Sequence, residues 1–149
     1  MSTLSFFSGM KFTKYLLFLF SLLPTFCSAQ SLQTVKDLDQ EHQKLMDKGV
    51  NMLGYTVAYY NKLDSLLNVV YNKLRQTLSP EEMQELKLQQ RQWLKERDAY
   101  FKQLYRDTEK KFDLEQNEWK EVEYLSVYHP QILFVEERVI WLMKRLNNE

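Results

Sequence analysis

From residue 30 onward the chain has only two glycines and two prolines, and its apolar residues recur at intervals of three and four. This spacing places the apolar residues on one side of an α-helix, whereas a half-buried strand would alternate apolar and polar residues. A first helix is predicted to end near Lys48-Gly49, because a basic residue followed by glycine suits a helix C-terminus. A second amphipathic helix follows, with its apolar stripe at Tyr60, Leu63, Leu67, Val70, Leu74 and Leu78.

The segment Ser79-Pro80-Glu81-Glu82 is the clearest helix start in the sequence. Serine suits the N-cap, proline the first helical position, and glutamate the third, which completes a capping box. The helix that begins here either runs past residue 110 or breaks near Phe112-Asp113 and resumes around Trp119, and both alternatives stay open. Pro130 is predicted to open the last helix. Long helices with short connections pack as antiparallel neighbours, so we predict an all-α, up-and-down bundle of about four helices.

The first 29 residues differ from the rest and are predicted to form a cleaved signal peptide. Lys11 and Lys14 precede an apolar run over residues 15–23, and small residues lead up to the predicted cleavage point after Ala29. The run is too short to cross a membrane, which takes roughly 20 apolar residues. Met10 is an alternative start, because the leader is complete without the residues before it.

Residues 30–149 are then a single exported domain, periplasmic or secreted, with no transmembrane helix of its own. Cys27 offers the less favoured alternative of lipoprotein anchoring, because the bulky Phe26 precedes it where lipoprotein processing requires a small residue. Once the leader is removed, the domain contains no cysteine, so its stability has to come from the core and not from disulfides.

The balanced total of 20 basic and 20 acidic residues hides two runs of opposite charge. Without the leader, 18 basic and 20 acidic residues remain, and this net charge of −2 gives no reason to expect nucleic acid as a partner. A candidate basic surface follows one flank of the third helix, at Lys87, Arg91, Lys95, Lys102 and Arg106. A candidate acidic partner surface comes next, at Asp113, Glu115, Glu118, Glu121 and Glu123. Charged runs of this kind are more often a solvated helix surface than a binding surface.

Polar residues occupy positions that the helical period assigns to the buried seam. Gln90 and Arg97 lie on either side of Trp93 on the third helix, and Asp64 and Asn68 share a face of the second. An arginine at such a position must either extend its charged end to solvent or find a carboxylate. If the two helices form a hairpin, residues equidistant from its turn meet, which brings Arg91 or Arg97 within reach of Asn68 or Asp64. The set is interpreted as an internal network that fixes helix register, with a polar recognition site as the alternative.

The segment Asp64-x-x-Leu67-Asn68-x-x-Tyr71, followed by Gln90-Arg91-x-Trp93 and Arg97-Asp98, resembles the signature of the LprI-type lysozyme inhibitor family of small exported bacterial proteins. Glu137-Arg138-x-x-x-Leu142 is similar to the closing segment of that family, so the resemblance covers residues 60–146. The family-motif residues are Asp64, Leu67, Asn68, Tyr71, Gln90, Arg91, Trp93, Arg97, Asp98 and Arg138.

Two features depart from the family pattern. Family members usually carry cysteines, one of them shortly after the Arg-Asp-Ala run, where Tyr100 and Phe101 stand in this chain. The glycine-containing connection before the last helix is replaced here by a charged stretch over residues 107–128.

No residue pattern indicates catalysis, a metal or a cofactor. His42 and His129 have no nucleophile and no ligand-spaced carboxylate near them in sequence, and the chain lacks a glycine-rich phosphate loop. We therefore predict a non-enzymatic binding protein. The resemblance implies steric inhibition of a lysozyme, with a lysozyme or another envelope protein as partner. The alternative is a cell-envelope polymer-binding or periplasmic assembly module that uses the basic flank of the third helix.

Overall fold

A computed structural model of the protein describes residues 32–112 and 119–148, and within them the chain forms four α-helices. Helix α1 spans Leu32–Met46, α2 spans Met52–Thr77, α3 spans Pro80–Phe112 and α4 spans Glu121–Asn147. The prediction of an all-α bundle is confirmed. In the described part of the chain, no helix combines the length and the apolar character needed to cross a membrane. The predicted signal peptide, with Met10 and Cys27, lies outside the described residues.

The first helix ends close to the predicted glycine. The backbone N–H groups of Lys48 and Gly49 donate to the carbonyls of Leu45 and Met46, and Gly49 has a φ of +66°. Glycine takes up this left-handed conformation at no steric cost, which is why it is common just beyond helix ends. The chain reverses there, and α2 returns antiparallel to α1.

The turn between α2 and α3 has the predicted capping box. The Ser79 N–H donates to Glu82 Oε2 at 2.9 Å, and the Glu82 N–H donates to Ser79 Oγ at 3.3 Å. These two bonds satisfy backbone donors that the first turn of a helix leaves without an intrahelical partner. The hairpin is therefore defined at its turn by local chemistry alone.

The last helix begins earlier than predicted. Helix α3 ends at Phe112 and α4 begins at Glu121, so residues 80–126 belong to two helices and Pro130 lies inside the second of them. The Glu123 carboxylate caps the start of α4, because its Oε2 accepts the backbone N–H of Lys120 at 2.9 Å. Proline inside a helix removes one backbone hydrogen bond. Helix α4 continues through it because Val127 and Ile132, on either side, are buried in the bundle.

Helices α2 and α4 form the centre of the bundle and run parallel. The Leu53 N–H donates to Glu121 Oε1 at 2.9 Å near the start of both helices, and seven residues further along each chain the rings of Tyr60 and Tyr128 meet. These two helices, diagonal in an up-and-down order, make the most extensive contact in the described structure. Helices α1 and α3 pack antiparallel against this central pair.

The core is built mainly from the two central helices. Their side chains are buried at helical spacing, whereas α1 contributes one fully buried apolar residue, Val35. The largest fully buried side chains are Leu63, Val70 and Leu74 of α2, Leu86 of α3, and Val127, Val135, Val139, Leu142 and Met143 of α4.

Candidate functional site: a groove between α2 and α3

A groove of about 330 Å³ runs between α2 and α3. Seven of the ten family-motif residues line it, together with Lys87 and Leu94. The seven are Asp64, Leu67, Asn68, Tyr71, Gln90, Arg91 and Arg97. Because they are spaced by three, four and seven residues along each helix, they project from the facing sides of the hairpin.

The groove has a buried floor and a polar rim. Leu67 and Gln90 are 3% and 7% exposed, whereas Asn68, Lys87 and Arg91 are exposed to solvent. The Asn68 side chain donates to the carbonyl of Asp64 within its own helix at 2.9 Å. The charged side chains that line the groove are three cations and one carboxylate: Lys87, Arg91, Arg97 and Asp64.

Arg97 crosses the hairpin, as the seam position predicted. Its Nη1 lies 3.9 Å from Asp64 Oδ1, and its Nη2 donates to Asp98 Oδ1 at 2.8 Å. The side chain is 23% exposed, and its guanidinium carbon lies 5.7 Å from the ring centroid of Trp93 and 5.9 Å from that of Phe101. Arg97 is thus held by aromatic rings and by partly solvated carboxylates, an arrangement less costly than a fully buried ion pair.

Trp93 lies beneath the groove and joins α3 to α4. Its ring is 9% exposed and stacks on Phe134, with 5.6 Å between centroids and 20° between planes. The guanidinium carbon of Arg138 lies 5.7 Å from its centroid, the same distance as that of Arg97. Trp93 therefore connects two of the three arginines of the motif, although neither the tryptophan nor Arg138 lines the groove.

Arg138 ties α4 to the floor of the groove. Its Nε donates to Gln90 Oε1 at 3.0 Å, and its guanidinium carbon lies 4.2 Å from the ring centroid of Trp141. Burial, and then the nearby charge of Arg145, lower the pKa of the Arg138 guanidinium. Its Nη2 is buried without a hydrogen-bond partner. Gln90 and Arg138, which are 48 positions apart in the sequence, thus link α3 to α4.

The five residues of the candidate basic surface lie on one side of α3, and all are exposed. Lys87 and Arg91 also line the groove, whereas Lys95, Lys102 and Arg106 lie outside it. The basic surface therefore has a part at the groove and a part that extends toward the C-terminal end of α3.

The candidate acidic surface is only partly within the described residues, because Asp113, Glu115 and Glu118 lie outside them. Glu123 is 6% exposed and caps α4, so its burial removes it from a surface that a partner could contact. Glu121 is exposed, and its carboxylate accepts the Leu53 N–H at the start of α2. Both glutamates thus fix helix starts, because a carboxylate is favoured at a helix N-terminus.

The structure also contains a cavity that sequence analysis did not find. Asp39 and His42 of α1 line it with His129 and Glu136 of α4. One sequence signal pointed toward it: His42 continues the apolar spacing of Val35, Leu38 and Leu45 in the first helix. The packing of helices that are distant in sequence decides which residues of α4 face this cavity. The spacing of residues within one helix does not contain that information.

The fold and the groove define a small helical bundle organised around a polar two-helix motif. The family model described as "Lysozyme inhibitor LprI" matches residues 40–129, more than half of the chain, and the protein belongs to this family. The match includes both helices of the groove and ends before Arg138 and Leu142. Searches of curated proteins and of solved structures find no significant match.

Proposed function

We propose that the protein is an exported, non-enzymatic inhibitor that binds a lysozyme and blocks its active-site cleft sterically. The observation that carries this proposal is the convergence of seven motif residues on one groove, in a chain that belongs to the LprI family. The predicted signal peptide supports export. Export would bring the protein to the compartment where a lysozyme attacks the cell wall.

The exposed rim of the groove suits a glycosidase cleft. Enzymes of this class generally place two carboxylates on either side of the scissile bond. Lys87 and Arg91 are exposed cations on neighbouring turns of α3, supported from below by the buried Gln90. We infer that these cations pair with acidic groups in the cleft, while the bulk of the α2–α3 hairpin excludes the substrate.

A lysozyme turbidity assay with purified residues 30–149 tests the proposal. The protein is expected to slow lysis, and the double substitution Lys87→Glu and Arg91→Glu is expected to weaken inhibition at least about tenfold, because each reversed charge repels the cleft. Lys102→Glu and Arg106→Glu together form the matched control, since they reverse two charges on the same helix outside the groove. Undiminished lysis at excess wild-type protein, at both low and physiological salt, would exclude inhibition of the enzyme tested.

The second candidate is a module that binds an anionic cell-envelope polymer through the whole basic surface of α3. It is favoured by one observation, the exposure of all five cations on one side of a 33-residue helix. Reversing Lys87, Lys95 and Lys102 to Glu is then expected to abolish salt-sensitive retention on cell-wall material. If the protein binds such a polymer, the Lys87/Arg91 and the Lys102/Arg106 charge reversals are expected to weaken retention on cell-wall material equally. A lysozyme inhibitor is instead expected to lose inhibition only in the Lys87/Arg91 variant.

A further inference from the structure

A cavity of about 600 Å³ opens between α1, α2 and α4 and shares no lining residue with the α2–α3 groove. Its size lies within the range of small-molecule sites in proteins, about 300–1,000 Å³. One part of its wall is apolar and is formed by Met46, Met52, Leu125, Ile132 and Leu133. Methionine side chains adapt to ligands of different shape, so this wall suits a compact apolar group.

The other part of the wall carries polar groups held in place by one another. The Tyr59 hydroxyl donates to Asp39 Oδ1 at 2.8 Å, and the Tyr59 ring stacks on His42 with 4.5 Å between centroids and 4° between planes. The Nε2 atom of His42 is buried without a hydrogen-bond partner. A buried polar atom without a partner is costly in a finished core, and such atoms are found where a ligand completes the bonding.

The charges that line the cavity are negative. Asp39 and Glu136 contribute carboxylates, and among the described residues lining the cavity there is no lysine or arginine. Burial raises the pKa of Glu136, and the charges of Asp39 and Glu137 raise it further. Burial lowers the pKa of His42, which disfavours a positive charge on the ring. In the described residues, the acidic and histidine side chains form no group that could hold a metal ion.

We propose that this cavity binds a small organic cation, an ammonium or guanidinium group carried on an apolar body. The apolar wall takes the body, and Asp39 and Glu136 receive the charged head. The same chemistry occurs in free amines and in the basic side chains of proteins, and the experiment separates these two sources. The proposal does not depend on lysozyme inhibition, because it concerns a different face of the bundle.

The test is an NMR titration of the ¹⁵N-labelled protein with three ligands of one shape: 4-phenylbutylammonium, 4-phenylbutanol and 4-phenylbutyrate. We expect amide shifts at residues around the cavity, with the ammonium binding most tightly and the carboxylate most weakly. Glu136→Gln is expected to weaken the ammonium about tenfold, the order of one charge-assisted hydrogen bond, and to leave the alcohol unchanged. Unchanged binding of the alcohol shows that the variant is folded and the cavity intact.

Glu137→Gln is the matched control, because it removes the neighbouring charge on an exposed side chain outside the cavity. Nα-acetyl-lysine methylamide provides the second source of the cation. If it binds, the site accepts the side chain of a protein, and if only 4-phenylbutylammonium binds, the ligand is a free amine. Equal affinity for the ammonium and the alcohol, unchanged ammonium binding in Glu136→Gln, or no shifts around the cavity would overturn the proposal.

Discussion

Single side chains of the LprI motif hold the helices of this bundle together. Trp93 is the clearest case, because its buried ring stacks on Phe134 and lies near the guanidinium groups of Arg97 and Arg138. The aromatic ring supplies apolar area to the core, and its face favours the cations. The motif therefore combines residues that build the bundle with others, such as Arg91, that are exposed at the groove.

Trp93→Ala is expected to lower the free energy of unfolding by about 3–5 kcal/mol, because a large buried ring is lost and a cavity is left. Urea denaturation followed by circular dichroism measures this difference. Trp141→Ala is the matched control, since Trp141 also contacts Arg138 but is 37% exposed. An equal loss in both variants would show that the stabilisation comes from Arg138 contacts and not from burial of Trp93.

The half-buried carboxyl of Glu136 predicts a pH-dependent effect on stability. Because its pKa is raised in the folded state, the folded protein favours the protonated form, and stability is lost as the pH rises through that pKa. Glu136→Gln cannot ionise, so it is expected to be more stable than the wild type at neutral pH and to differ little below pH 4.5, the ordinary value for glutamate.

Denaturation curves at a series of pH values measure this difference. His42, whose pKa is shifted in the opposite direction, also lines the cavity, as do Asp39 and His129, and all three are present in both proteins. Glu137→Gln is the control and is expected to show a smaller change with pH, because that side chain is exposed. If the difference in the free energy of unfolding between Glu136→Gln and the wild type is the same at every pH, the pKa of Glu136 is not raised in the folded protein.

At the scale of the element, short capping signals decide where helices begin. The box at Ser79 and Glu82 follows a common sequence pattern and was found from the sequence. At the start of α4 only one half of such a box is present, the Lys120 N–H donating to Glu123 Oε2, because a lysine side chain cannot accept a hydrogen bond. The sequence does not predict this start, since serine, threonine, aspartate or asparagine is usual at the N-cap. The sequence predicts the helix start at Pro130 instead, whereas α4 begins nine residues earlier.

Ser79→Ala is expected to destabilise the protein by about 1 kcal/mol, the usual effect of removing an N-cap side chain. The hydroxyl lost is the acceptor for the Glu82 N–H, while the Ser79 N–H still donates to the Glu82 carboxylate. Thermal unfolding checks the value. Ser65→Ala, in the exposed interior of α2, is expected to change stability by less than about 0.5 kcal/mol. An equal effect at both positions would show that the hydroxyl does not cap α3.

At the scale of the whole molecule, the bundle depends on the contact between α2 and α4. These helices are not neighbours in sequence, yet most of the large, fully buried side chains belong to them. The α2–α3 groove and the α1–α2–α4 cavity both have α2 as a wall. The central pair therefore positions both candidate sites.

Leu142→Ala is expected to cost about 2–5 kcal/mol, because the side chain is fully buried in α4 and its removal leaves a cavity in the centre of the bundle. The same change at Leu88 of α3, which is 64% exposed, provides the control and is expected to be within about 0.5 kcal/mol of the wild type. Denaturant unfolding of both variants gives the comparison. A small effect at Leu142 would mean that the α2–α4 contact is not what stabilises the fold.

The sequence by itself determined the all-α class, the end of α1 near Gly49 and the capped start of α3. These features depend on local chemistry: spacing by three and four, a glycine at a helix end, and a serine and a glutamate three residues apart. The short turn also brought Arg91 or Arg97 within reach of Asn68 or Asp64, and the structure selects Arg97 and Asp64 from these alternatives.

Tertiary structure alone decided the continuation of α4 through Pro130, the parallel packing of α2 on α4 and the cavity that brings Asp39 and Glu136 together. It also decided that Glu123 caps a helix instead of belonging to an acidic surface. The physical reason is the same in each case. Burial of side chains between helices far apart in sequence outweighs a local signal such as Pro130, and no local spacing records which distant side chains will meet.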